Sequence, residues 1–199
     1  MKNPTAKDLQ LIREEAFVVL KPENELELLF LDRIDFLMGL DWGVPRYGHP
    51  EGKIMYHIWE VLENIDCIPN LQPDQRMRLR VIAFVHDTFK YNEPRNRPRD
   101  WSKHHSVLAR EFLAQFTEDT ASLLITELHD EAYYAWQAFK LYRKPHKSAI
   151  RKQTLLERVG EYLQLYYLFF ICDTKTGDKI QAPVHWFETT TEEIEVVRF

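Results

Sequence analysis

The sequence predicts a single all-α domain that ends in a short extended or β-like tail. Three observations carry that expectation. Apolar residues recur at i, i+3, i+4 and i+7 through most of the chain, the spacing of one helix face. The 199 residues include only six glycines, too few for a β-sandwich or a glycine-rich nucleotide fold, both of which use glycine at turns. No internal repeat, low-complexity tract or linker divides residues 1–199, a length that suits one domain with a sizeable core.

In chain order, a first helix is expected over residues 5–19, stopping before Pro22. A second covers 23–40, with Leu26, Leu29, Phe30, Ile34 and Leu37 at helical spacing. Gly43, Pro45, Gly48 and Pro50 then break the chain over 41–52. The third helix, 53–67, gathers Ile54, Ile58, Val61, Leu62 and Ile65 on one face, and His57 shares that face. The fourth begins after Pro73, with Asp74 near its N-terminus. Its stripe runs Leu79, Ile82, Ala83, His86, Lys90, so it closes on a histidine and a lysine instead of leucines. A polar loop at 92–103 follows, then helices at 102–116, at 119–142 and at 149–172. The basic turn Arg143-Lys144-Pro145-His146-Lys147 separates the last two. Residues 182–199 mix β-branched and charged side chains and read as a short strand or extended arm.

Composition excludes several classes. With 45% hydrophobic and 29% charged residues the chain reads as soluble and folded. A net charge of -5 gives no general affinity for nucleic acid or anionic membranes, while leaving room for a local basic patch. Cys67 and Cys172 form no disulfide framework and no Cys-x-x-Cys pair, which points to a reducing, cytoplasmic setting. No apolar signal segment follows Met1, and the most apolar stretch, around 162–172, is too short and interrupted to span a membrane.

The functional signal is a set of polar side chains on apolar stripes. His57, His86-Asp87, His105, His129 and Asp173 each lie within or at the edge of such a stripe. Singly, each has an ordinary reading: a hydrogen-bonded core histidine, a chance dipeptide, an aspartate in a turn near Gly177. Jointly, inward-pointing imidazoles and carboxylates on successive helices are hard to bury without a metal. Hydrolytic metal sites want imidazole and carboxylate together. His57, His86, Asp87 and Asp173 would make a one-metal site. Asp87 could bridge to a second ion held by His105 and His129. Lys90, one turn past His86, could balance charge on a phosphoryl oxygen, or could snorkel to solvent.

The order and spacing of these residues resemble the HD-domain superfamily of metal-dependent phosphohydrolases, whose signature is His…His-Asp…Asp, often with two further histidines. Gly48-His49-Pro50-Glu51-Gly52 followed by His57, then His86-Asp87-Thr88-Phe89-Lys90, then Asp173-Thr174-Lys175-Thr176-Gly177, are similar to segments of the HD domain in bacterial CCA-adding tRNA nucleotidyltransferases. The resemblance covers about 46–179. It implies a helical bundle holding one or two divalent ions (Mn, Ni, Co, Mg, Zn or Fe). It also implies a nucleotide or other phosphorylated small molecule as substrate, with RNA ends a further candidate. The chain departs from the pattern in three ways. No nucleotidyltransferase domain precedes it, so CCA addition is not implied. Thr88-Phe89 replaces the usual Ile/Leu-Gly. His104 and His105 are adjacent where the family offers one ligand; helical spacing favours His105, which shares a face with Leu108, Ala109, Phe112, Leu113 and Phe116, and His104 is the alternative.

Two other readings share the pattern: an HD-domain oxygenase with a mixed-valent di-iron pair, and a non-catalytic nucleotide-binding module. For substrate contacts, Arg95, Arg97, Arg99 and Lys103 lie between two ligand-bearing helices and suit phosphate oxygens. The basic stretch 140–152 could extend that surface, and Trp101, Tyr133, Tyr134 and Trp136 could stack on a base. Taken one at a time, they are as readily a solvated face and a core. His49 is expected to shape its loop. The first helices and the tail are candidates for a cover over the core or a homodimer contact.

Overall fold

The structure is a computed structural model that describes residues 4–94 and 98–199. Among the described residues it is all-helical, with no strand and one isolated bridge, Arg46 to His49. Helix α1 (Ala6–Leu20) starts on a capping box in which Thr5 and Asp8 satisfy each other's backbone N–H groups. Asn24 caps α2 (Glu25–Phe30), and α3 (Ile34–Leu40) follows. The expected single helix over 23–40 is therefore two. Arg33 adopts an extended conformation between them, which lets both Phe30 and Phe36 turn inward. Their rings meet at 5.7 Å and both pack on Phe112, at 5.5 and 5.7 Å.

Helices α4 (Ile54–Asp66), α5 (Pro73–Val85) and α10 (Leu163–Thr174) form the centre of the molecule. In α10 every residue from Leu165 to Cys172 is buried, as expected of a helix that is apolar all round. Around them lie α6 (His105–Leu113) with α7 (Thr120–Leu128), and the antiparallel pair α8 (Glu131–Lys140) and α9 (Pro145–Val159). The expected helix over 119–142 breaks at His129-Asp130, and that over 149–172 breaks at Gly160, whose φ of +47° is a left-handed conformation that glycine tolerates.

The tail differs from expectation. Residues Ala182–Thr190 form α11, with Pro183 in its first turn, where a missing N–H costs nothing. Only residues 191–199 run as an irregular arm, tied back where Val197 N–H donates to the Tyr167 hydroxyl at 3.2 Å.

Two contacts fix the element that carries the His-Asp pair. Arg80 of α5, buried, donates through Nε and one terminal nitrogen to Glu27 at 3.0 and 2.9 Å, and Glu27 is itself fully buried. Helix α5 then ends at Val85, and the chain turns through His86-Asp87 into a 3-10 segment, Thr88–Asn92, instead of continuing as helix to Lys90. Gly39 of α3 lies so close that a Cβ there would meet the Thr88 carbonyl at 1.9 Å. No helix among the described residues is long and apolar enough to cross a membrane.

Candidate metal centre

Six of the expected residues converge on one centre, with Asp87 in the middle. His57 comes from α4, His86 and Asp87 from the end of α5, His105 from the first turn of α6, His129 from the end of α7 and Asp173 from α10. The three histidines His57, His86 and His129 and the carboxylate of Asp87 are almost wholly buried. In one half of the centre, His57 Nε2 stands 3.2 Å from His86 Nε2, 3.5 Å from Asp87 Oδ2 and 3.0 Å from Asp173 Oδ1. In the other half, His105 Nε2 stands 3.4 Å from His129 Nε2 and 3.3 Å from Asp87 Oδ1. His129 Nε2 is 3.4 Å from the same oxygen. Asp87 thus presents one oxygen to each half.

The outer nitrogens explain this arrangement. His86 Nδ1–H donates to the Ala83 carbonyl and His129 Nδ1–H to the Thr126 carbonyl, each at 2.9 Å. His105 Nδ1–H donates to Glu93 at 2.7 Å. Three rings are therefore oriented from behind, with Nε2 turned to the centre, the pattern of outer partners that aim metal-ligating histidines.

The donor set fits a metal on three grounds. Facing imidazole nitrogens lack the complementary donor and acceptor of a good hydrogen bond unless a proton or cation sits between them. Two nitrogens at about 2.1 Å from one ion, roughly 100° apart, would be about 3.2 Å from each other. Asp87 Oδ1, which faces His105 and His129, is also buried without a hydrogen-bond partner. His57, His86 and Asp87 on one side, and Asp87, His105 and His129 on the other, are each close enough to hold an ion.

Electrostatics divides the halves. Burial pushes His86 down to about 3, against the pull of Asp87 and Asp173, so its ring is neutral. Burial also opposes a charge on His105, but Asp130, Asp87 and Glu93 outweigh it and raise the ring to about 10. His129 is raised too: Asp130 and Asp87 overcome the cost of burial. Burial works against ionisation of Asp87 and Asp173. Lys90 for the first, Lys179 and His57 for the second, more than offset it and hold both carboxyls well below the usual range. Lys90 ion-pairs with Asp87 Oδ2, and Lys179 donates to Asp173 Oδ1 at 2.9 Å.

The centre opens into a cavity of about 1120 Å³. Arg99 lines it, paired at 3.0 Å with Glu93 and donating to the Tyr134 hydroxyl at 3.1 Å. Lys103 does not reach the cavity: its side chain is 61% exposed and its nearest acid is Asp100 at 3.9 Å, because the 3-10 turn Trp101–Lys103 points it outward. Arg95 and Arg97 lie outside the described residues. Trp101, Tyr133 and Tyr134 line the cavity, while Trp136 is buried in the bundle. His49 pairs through its backbone with Arg46 and contacts Glu51 at 2.9 Å, and with Glu51 and His57 it is also close enough to hold an ion.

Of the adjacent histidines, His105 faces Asp87 and His104 does not. His104 caps α6 through Ser106 N–H at 3.3 Å and turns Nε2 to the Tyr134 hydroxyl at 2.9 Å. The sequence reading missed Glu93, Lys179 and Asp130. Asp130 Oδ2 lies 3.4 Å from His105 Nε2 and 3.8 Å from His129 Nε2. Its signal was available, since His129-Asp130 repeats the dipeptide His86-Asp87.

The sequence model of the HD domain matches residues 54–161, a span that contains His57, His86, Asp87, His105 and His129. No curated protein and no solved structure matches the chain.

Proposed function

The chain belongs to the HD-domain family, and on that footing we propose that it is a metal-dependent phosphohydrolase acting on nucleotides or on nucleic-acid phosphate ends. The observation that carries this reading is the convergence of four histidine Nε2 atoms on the two oxygens of Asp87. His57, His86, Asp87 and Asp173 would hold one ion, and His105, His129 and Asp87 a second. Ions bound there would supply Lewis acidity and a water acidic enough to serve as nucleophile near neutral pH.

The chain's own groups do the rest. Lys90 and Lys179, already seated on Asp87 and Asp173, line the cavity and would balance charge on phosphoryl oxygens. Outward from the centre the cavity wall carries Arg46, Lys144, Lys147 and Arg151, which suit a phosphorylated ligand. Trp101, half exposed, and Tyr133 add aromatic surface to the same wall, the Trp101 ring already stacked on His104 at 5.6 Å and the Tyr133 ring on Trp136 at 5.7 Å. Cys67 and Cys172, both free thiols, fit a reducing compartment such as the cytoplasm.

The test is phosphate release from nucleoside 2′-, 3′-, 5′- and 2′,3′-cyclic phosphates and from short RNAs with phosphorylated ends. Manganese, cobalt, nickel or magnesium is added in turn, and Asp87→Ala is run alongside. We expect metal-dependent release, reduced at least about 10³-fold in the variant, since both halves lose a donor. Hydrolysis undiminished by Asp87→Ala would sink the proposal. Oxygen uptake by an iron-loaded protein with no phosphatase activity would replace it with the oxygenase reading.

A further inference from the structure

We infer that Asp130 is a direct ligand of the second ion, so that each half of the centre has the same donors: two imidazole nitrogens, a terminal carboxylate and one oxygen of Asp87. This rests on the metal-dependent reading above and adds to it a residue outside the expected set.

Which nitrogen Asp130 approaches decides its role. A carboxylate that only orients a ligating histidine sits on the nitrogen facing away from the metal. Glu93 does this for His105, at Nδ1, 2.7 Å away. Asp130 lies on the other side of the same ring, 3.4 Å from Nε2, and 3.8 Å from Nε2 of His129. The outer nitrogen of His129 is already committed to the Thr126 carbonyl. Asp130 therefore occupies the side of both rings where an ion would bind. Asp173 holds the equivalent place in the first half, 3.0 Å from His57 Nε2 and 3.8 Å from His86 Nε2.

The local backbone repeats as well. Consecutive residues of an α-helix point about 100° apart, and both His-Asp pairs sit where a helix ends and that constraint relaxes. Helix α5 stops at Val85, before His86-Asp87, and α7 stops at Leu128, before His129-Asp130. Each pair turns inward at a helix end. Asp130 is also held from behind. The Tyr134 hydroxyl donates to Asp130 Oδ2 at 3.2 Å, and Arg99 in turn donates to the Tyr134 oxygen at 3.1 Å.

The test is binding of Mn²⁺ alone to the metal-free protein, followed by calorimetry and by electron paramagnetic resonance, with the melting of each metal-free variant as a folding control. Wild-type protein should take up two ions per chain and show the spectrum of an exchange-coupled pair. Asp130→Asn should keep one ion at wild-type affinity, bind the second at least tenfold to a hundredfold more weakly, and lose the coupled spectrum. Asp130→Glu, which keeps the carboxylate, should recover part of both. Asp173→Asn should weaken one ion to a similar extent, from the other half. Two ions bound by Asp130→Asn with wild-type affinity and coupling would overturn the assignment while leaving the phosphohydrolase reading intact. Wild-type protein that binds no Mn²⁺ would overturn both.

Discussion

His105 sets the acid–base behaviour of the centre. With Asp130, Asp87 and Glu93 around it, its ring titrates near 10 in the metal-free protein, so at neutral pH a proton sits where an ion would bind. An ion in the second half must displace that proton, whereas His86, pushed down to about 3 by burial, has none to give up. From pH 7 to 9 the affinity of the second half should rise about tenfold per unit, while His86 adds no such slope to the first. Calorimetry in two buffers of different ionisation enthalpy should read roughly one proton released by His105, with His129 adding to it. Identical pH slopes for both ions would refute this. Without metal, the stability from the raised His105 is fully present below the unfolded value near 6.5 and is lost as pH rises through about 10. The lowered His86 acts in the opposite direction, costing stability as pH falls from about 6.5 towards 3. At this scale much was legible. The apolar neighbours of His57, His86 and His105 showed where those rings point. Asp130 was passed over, although His129-Asp130 repeats His86-Asp87, because residues 119–142 read as one uninterrupted helix and the break at that pair did not show.

Breaks were the least legible feature of the elements. Nothing between Phe30 and Ile34 punctuates the chain as proline or glycine would, so the turn at Leu31–Arg33 follows from packing Phe30 and Phe36 together on Phe112. Gly160 was visible, but a lone glycine in a helical pattern does not by itself announce a left-handed turn. The β-branched run Thr189-Thr190-Thr191 suggested a strand, whereas Pro183 starts a helix. The buried Glu27–Arg80 pair ties α2 to α5, and its removal from one side leaves a guanidinium in the core with Glu23 and the Lys21 carbonyl as its remaining partners. Glu27→Ala should cost about 3–5 kcal/mol in denaturant unfolding of the metal-free protein. A loss within ~0.5 kcal/mol would show that the pair contributes little.

For the whole molecule, the centre is where α4, α5, α6, α7 and α10 come together, so an ion bound to the folded state and not the unfolded one stabilises the entire bundle. At a free ion concentration about a thousandfold above Kd that amounts to about 4 kcal/mol. For a chain of this size it raises Tm by roughly 10 °C. Chelation should lower the melting temperature by that amount and added Mn²⁺ should restore it, with Asp87→Ala responding to neither. A melting temperature indifferent to chelator would count against an ion at this position. Asp87 has a last consequence. Because one carboxylate serves both halves, the occupancies are thermodynamically linked, and linkage is reciprocal. Whatever factor the first ion imposes on the affinity for the second, the second imposes on the first. Activity plotted against ion concentration will therefore depart from a simple hyperbola, steeper if the first ion pre-positions Asp87 and shallower if its charge repels the next.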